Sequence, residues 1–361
     1  MFDKLSNILS KFRYSPEYRP ALRYAFGSTL IMALVMSTGA ELGYIVPMLA
    51  LTFLAPGTKQ PTLKQSIGFI IIVASSSLFA YFFTAFFYNY MLIYIPLLAL
   101  ILIWVYYTTS ISIVAKLFLL ISLLASPVPS SGIEIKAWSA ILAGTLVSGA
   151  IYTTIVVWIV FALFPDKKTE NSKQEAKKAT PSAIPKDVRL RNALEIFVVT
   201  FPIVLLFIFF QGGDALLVLM YIVIIAMLPR SSGRMAGKGK IYGNIIGGLV
   251  TIVFYEILTI VPNFFFFIIL FLATALIFSE IVFAGKPHSG LFKTGFSTLT
   301  LIIGSTTNST DNAANEIWIR VFQVMLAVFY VVGAYYIWDA FLLKRLHHRK
   351  RFYKRKILAK T

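Results

Sequence analysis

The chain has 361 residues, 58% of them hydrophobic and only 13% charged, and its apolar runs are long enough to cross hydrocarbon at ~1.5 Å per residue, which excludes a water-soluble domain. Cysteine is absent, so disulfides and thiolate metal sites are excluded. The net charge of +18 sits in tails and turns and not on a folded basic surface, which argues for membrane orientation and anionic lipid contact and against nucleic-acid binding.

Residues 1–19 place Phe2, Leu5, Ile8, Leu9 and Phe12 at helical spacing with Lys4, Lys11 and Arg13 between them. This pattern predicts a cytoplasmic amphipathic helix lying in the headgroup region, and it is not a cleavable signal peptide. A first membrane block, 20–164, divides into predicted spans 22–40, 43–55, 63–87, 91–107, 111–126 and 135–164. A basic cytoplasmic linker, 165–190, follows. A second block, 191–343, divides into 192–211, 214–228, 240–261, 263–284, 289–305 and 314–343, before a basic cytoplasmic tail, 344–361.

Charge tests these spans independently of hydropathy. Twelve crossings put the tails and linker on one side, together with the turns holding Lys59 and Lys64, then Arg230, Arg234, Lys238 and Lys240, then Lys286. The opposite loops hold Glu41, Glu134, Asp214, Asp311 and Glu316, with Lys136 as the one lysine near them. The positive-inside rule then predicts that both termini are cytoplasmic. The expected fold class is an all-α polytopic membrane protein of about 12 transmembrane helices in two six-helix repeats. An even number of spans per block makes the repeats parallel.

The blocks agree in punctuation. Arg23 and Arg191 open them, and the second spans are short and end at Pro56 and Pro229. The third spans begin with Lys64 and Gly68, or Lys240 and Gly243. The fifth spans carry Lys116 and Lys293, and the sixth Lys136 and Arg320. Near the end of each block comes Gly149-Ala150-Ile151-Tyr152 or Gly333-Ala334-Tyr335-Tyr336.

These features resemble the fusaric-acid-resistance-like, or aromatic acid exporter, superfamily of bacterial inner-membrane proteins. The likeness is to a short form without the soluble cytoplasmic domain, and Gly68-Phe69 and Gly243-Asn244 stand where Gly-Thr is common. The resemblance implies proton-driven export of organic acids or similar toxic compounds, with a periplasmic adaptor of the membrane-fusion type.

The residues themselves suggest where such chemistry would sit. The turn from Pro229 to Lys240 lacks P-loop spacing, because Gly239 follows Lys238 where Ser or Thr is needed. It reads as a flexible cytoplasmic turn, so energy would come from an ion gradient. No enzymatic activity, cofactor or metal site is expected. Ionisable groups inside spans are costly and mark ion or substrate paths. Glu256, deep in a span, is the leading proton-coupling candidate, with Glu280 and His288 behind it; each also reads as a solvated or ion-paired surface group. Lys116, Lys293, Lys136 and Arg320 are candidates for an anion pathway, or snorkelling cations. The paired short spans point to the binding site, with Tyr44, Pro47, Thr52, Met220 and Tyr221 as cavity-wall candidates. The expected function is outward transport of amphipathic organic anions by proton antiport. The alternatives are a passive organic-anion channel and a non-transporting scaffold for an adaptor. A homo-oligomer is compatible with any of these.

Overall fold

The structure, a computed structural model, describes residues 18–39, 43, 45–108, 112–129, 132–165, 186–210, 216–226, 233–286, 288–306, 318–319 and 321–338. In chain order these form α1 (Arg19–Thr38), α2 (Ile45–Phe53), α3 (Leu63–Phe87), α4 (Met91–Tyr107), α5 (Ile113–Ala125) and α6 (Ile135–Leu163). There follow α7 (Lys186–Phe209), α8 (Leu216–Ala226), α9 (Gly233–Ile260), α10 (Phe264–Phe283), α11 (Ser289–Thr306) and α12 (Val321–Trp338). No strand occurs among the described residues. Helices α1, α3, α6, α7, α9, α10 and α12 are long and apolar enough to cross a membrane. Their outward faces are apolar as well: Phe86, Leu206 and Phe322 are exposed, and on the shorter α4 Leu92 is 93% exposed. Such a surface has its natural solvent in hydrocarbon, and the chain is an all-α protein of the membrane-spanning kind. The predicted interfacial helix, residues 166–185 of the linker and the basic tail lie outside the described residues.

Helix ends follow local chemistry. Thr62 and Gln65 form a capping box at the start of α3, the Thr62 hydroxyl accepting from the Gln65 N–H and the Gln65 side chain from the Thr62 N–H. Ser112 and Asn263 cap α5 and α10 with their side-chain oxygens. Gly39 closes α1 in the left-handed region at φ 61°, where a side chain would be strained.

Two helix starts depart most from the sequence reading. Helix α7 begins at Lys186, directly after Pro185, so the last linker residues extend the span. Helix α9 begins at Gly233, which corrects the expected flexible turn for residues 233–239. Met235, Ala236, Lys238 and Lys240 are good helix formers and carry the backbone through Gly237 and Gly239.

Helix contacts recur at an offset of six. Helix α3 packs on α5 and α9 on α11; α1 packs on α2 and α7 on α8. Across the chain, α4 packs on α7 and α10 on α1, while α5 packs on α8 and α11 on α2. The α1–α6 contact has a counterpart in the Tyr330 hydroxyl of α12, which donates to the Val199 carbonyl of α7 at 2.8 Å. The α2–α6 contact has one in the Tyr335 hydroxyl, which donates to the Ala226 carbonyl of α8 at 2.9 Å.

Two of these pairs are cemented differently. Between α3 and α5, Phe69 meets Phe118 edge-on at 5.5 Å and the Ser77 and Ser122 hydroxyls pair at 3.3 Å. Between α9 and α11, Gly243, Gly247 and Gly295 bring the backbones together, and Thr298 donates to the Asn244 side-chain carbonyl at 2.5 Å.

Candidate functional site

The short helices α2, α5 and α8, with α11, carry contacts between the first six helices and the last six. Among the described residues they are largely enclosed. The run Phe118 to Ala125 of α5 is buried apart from Leu119, and so are Val218, Leu219, Met220, Ile222 and Val223 of α8. Of the cavity-wall candidates, Pro47 and Met220 are buried in this centre. Thr52 is exposed, its hydroxyl donating to the Leu49 carbonyl of its own helix at 2.7 Å. Tyr44 and the side chain of Tyr221 lie outside the described residues.

One end of the bundle gathers the basic side chains. Arg19 donates to the Pro165 carbonyl at 3.2 Å, and buried Arg23 donates to the Phe164 carbonyl at 3.3 Å. The Arg23 guanidinium also lies 4.2 Å over the Phe161 ring. These cations meet the carbonyl end of α6, where the helix dipole and free carbonyls favour positive charge. Arg189, at the start of α7, lies 5.7 Å from the Tyr107 ring at the end of α4. A cation near the start of α1 and one near the start of α7 are therefore each anchored on an aromatic ring, although on different neighbours.

The anion-pathway candidates do not form one cluster. The Lys116 ammonium donates to the Thr108 carbonyl at the end of α4, so it closes a helix terminus. Lys293 is half-buried at the matching place near the start of α11. Lys136 is exposed near the start of α6, at the other end of the bundle from Lys116. Arg320 lies outside the described residues.

The proton-coupling candidates Glu256, Glu280 and His288 are all exposed, as is Lys286 beside them. Glu256 stands on the outer surface of α9 and the protein does not enclose it. The acid that the protein does enclose is Glu195 of α7, only 3% exposed. Among the described acidic residues it alone is buried. Glu195 falls inside the predicted span 192–211 but is not among the sequence candidates. The available signal was its placement: it lies ~10 Å along the helix from Val188, where the apolar span begins.

Farther along α7, a buried polar pair joins it to α4. The Thr200 hydroxyl donates to the Ile196 carbonyl at 2.9 Å, so Tyr106 of α4 must be the donor in the 3.1 Å Tyr106–Thr200 bond. No cluster of metal-ligating side chains occurs among the described residues. No protein-family model, curated protein or solved structure matches the chain.

Proposed function

We propose that the chain is a twelve-span transporter of the bacterial inner membrane, with cytoplasmic termini and two parallel six-helix repeats. It exports amphipathic organic anions, aromatic acids among them, in exchange for protons. A periplasmic adaptor of the membrane-fusion type would pass the anion onward.

The observation that carries this reading is the recurrence of helix contacts at an offset of six. The fourth and fifth helices of each set pack on the first and second of the other. That exchange supports two halves able to rock about a shared centre, the usual basis of alternating access in repeat transporters. Arg19, Arg23, Lys116 and Arg189 at one end of the bundle support the cytoplasmic placement of that end. Glu195 supports proton coupling, because an ionisable side chain enclosed within a span is costly to keep and usually marks an ion path.

The test is reconstitution of the full chain in liposomes with naphthalene-2-sulfonate, an aromatic anion that stays ionised, as the probe. Antiport gives probe accumulation driven by an imposed pH gradient, with matching proton flux reported by a trapped pH dye. Electrogenic probe current without proton flux would replace the antiporter with a channel. Absence of any flux, alongside co-purification of an adaptor, would leave a scaffold.

A further inference from the structure

A cavity of about 550 Å³ lies between α7 and α12, open outward where Val198, Phe329 and Ile337 are exposed. It is within the range of about 300–1,000 Å³ typical of small-molecule sites. Val198 and Val199 form one wall, and Phe329, Tyr330, Gly333 and Trp338 the other. From Phe329 to Trp338 it follows α12 for ~13 Å, room for a fused two-ring body laid along the helices.

Three features distinguish it from a gap that lipid happens to fill. The first is a hydrogen-bond donor without an acceptor. The Trp338 indole N–H is buried at the cavity and has no partner among the described residues, whereas the Tyr330 hydroxyl is committed to Val199. Buried polar groups are nearly always paired, so an unpaired one in a cavity wall points to a missing acceptor.

The second is the difference between counterpart glycines. At Gly149, in the matching Gly-Ala pair of the first block, a Cβ would strike the Val46 side chain of α2. At Gly333 a Cβ would meet no heavy atom within 4 Å. One block closes this position with a neighbouring helix and the other leaves it open.

The third is charge. Helices α7 and α12 run antiparallel, in register at the Tyr330–Val199 bond. Eight residues onward along α12 is Trp338, and eight back along α7 is Arg191, whose side chain is exposed. A cation therefore stands toward the same end of the helix pair as the unpaired donor, outside the cavity lining.

From these we propose that the α7–α12 cavity binds an aromatic organic anion. Its rings lie against Val198, Phe329 and Tyr330, and its anionic group accepts from the Trp338 N–H, with Arg191 supplying longer-range attraction from the same end of α7. The choice of ligand deepens the transport reading and rests on it.

The test is equilibrium binding of radiolabelled naphthalene-2-sulfonate to the full chain in nanodiscs of phosphatidylethanolamine and phosphatidylglycerol. Gly333→Leu, which fills the cavity, should weaken binding at least ten-fold. Trp338→Phe keeps the ring and removes the donor to a charged acceptor, and should cost about ten-fold. Arg191→Gln should cost about three-fold, and less at high salt. Leu206→Ala, on the exposed face of α7, should change nothing.

Undiminished binding in both Gly333→Leu and Trp338→Phe overturns the site. If Gly333→Leu does not fold, Trp338→Phe decides alone. A phospholipid retained by the wild type in native mass spectrometry, lost in Gly333→Leu and not displaced by the probe, also overturns it. Binding that depends on the cavity without any flux in liposomes would sink the transport reading and leave the site standing. Flux that ignores the cavity variants would do the reverse.

Discussion

The α3–α5 and α9–α11 pairs hold matching places in the two halves of the chain, yet different forces join them. Side chains interleave in the first, where Phe69 meets Phe118 and Ser77 meets Ser122. In the second, glycines let the backbones close up between the threonines of α11: a Cβ on Gly243 would stand 2.7 Å from the Leu291 carbonyl oxygen. Lipid tails are as apolar as leucine, so helices in a bilayer associate through close packing and hydrogen bonds instead of hydrophobic burial. Ring packing leaves room to adjust, whereas backbone against backbone does not. The α9–α11 pair is therefore the rigid member of the comparison.

The sharpest way to break that contrast is a side chain at Gly247, where a Cβ would run into the Gly295 carbonyl oxygen. Gly247→Leu should cost ~3 kcal/mol or more, since the atom in the way is backbone and cannot rotate aside. At Gly68, near the start of α3, a Cβ would meet nothing within 4 Å. Gly68→Leu should stay within ~0.5 kcal/mol of the wild type. Unfolding in sodium dodecyl sulfate followed by circular dichroism measures both. Equal losses would show that the two pairs are packed alike.

How far the sequence carried this picture depends on the kind of feature. Spans 63–87 and 91–107 match α3 and α4 because caps and turns at their ends are local, as with Thr62 and Gln65. The start of α9 was hidden because glycine spacing resembles a turn, while helix continuation depends on the residues between the glycines. Glu256 and Glu195 show the deeper limit. Both are carboxylates within long apolar stretches, and only the arrangement of neighbouring helices decides that one is exposed and the other enclosed. Likewise, Gly247 is an ordinary helix glycine until α11 is laid against it, and Lys116 looks like a pathway cation until the Thr108 carbonyl is found beside it.

A second, smaller effect comes from another mismatch between the halves. Counting from the opening arginines, Arg23 and Arg191, Gly27 stands where the second half has Glu195. If proton coupling resides in the enclosed acid, Glu195→Gln should lower gradient-driven accumulation of naphthalene-2-sulfonate about ten-fold or more while leaving probe-for-probe exchange intact. Exchange needs no net proton movement, so it also reports that the variant is folded. Glu256→Gln should retain both activities. The opposite pattern would return the coupling role to Glu256.

The smallest effect tests the two contacts through which the halves cross. At the α4–α7 contact, Tyr106 donates to Thr200. At its counterpart, α10 on α1, Tyr24 is fully buried between Phe283 and Phe296, at 5.8 and 5.5 Å between ring centroids. The Tyr24 hydroxyl has no hydrogen-bond partner among the described residues. A buried bond is worth ~1 kcal/mol net, but a buried donor left unmade carries its own desolvation penalty. Tyr106→Phe should therefore destabilise by ~1 kcal/mol, and Tyr24→Phe should be neutral or stabilise by up to ~1 kcal/mol. The same chemical change has opposite signs at equivalent places, which no general preference for Phe or Tyr in membranes can produce. If detergent unfolding instead gave the same sign for both, the two crossings would be equally polar, and the contrast between an aromatic contact and a hydrogen-bonded one would fail.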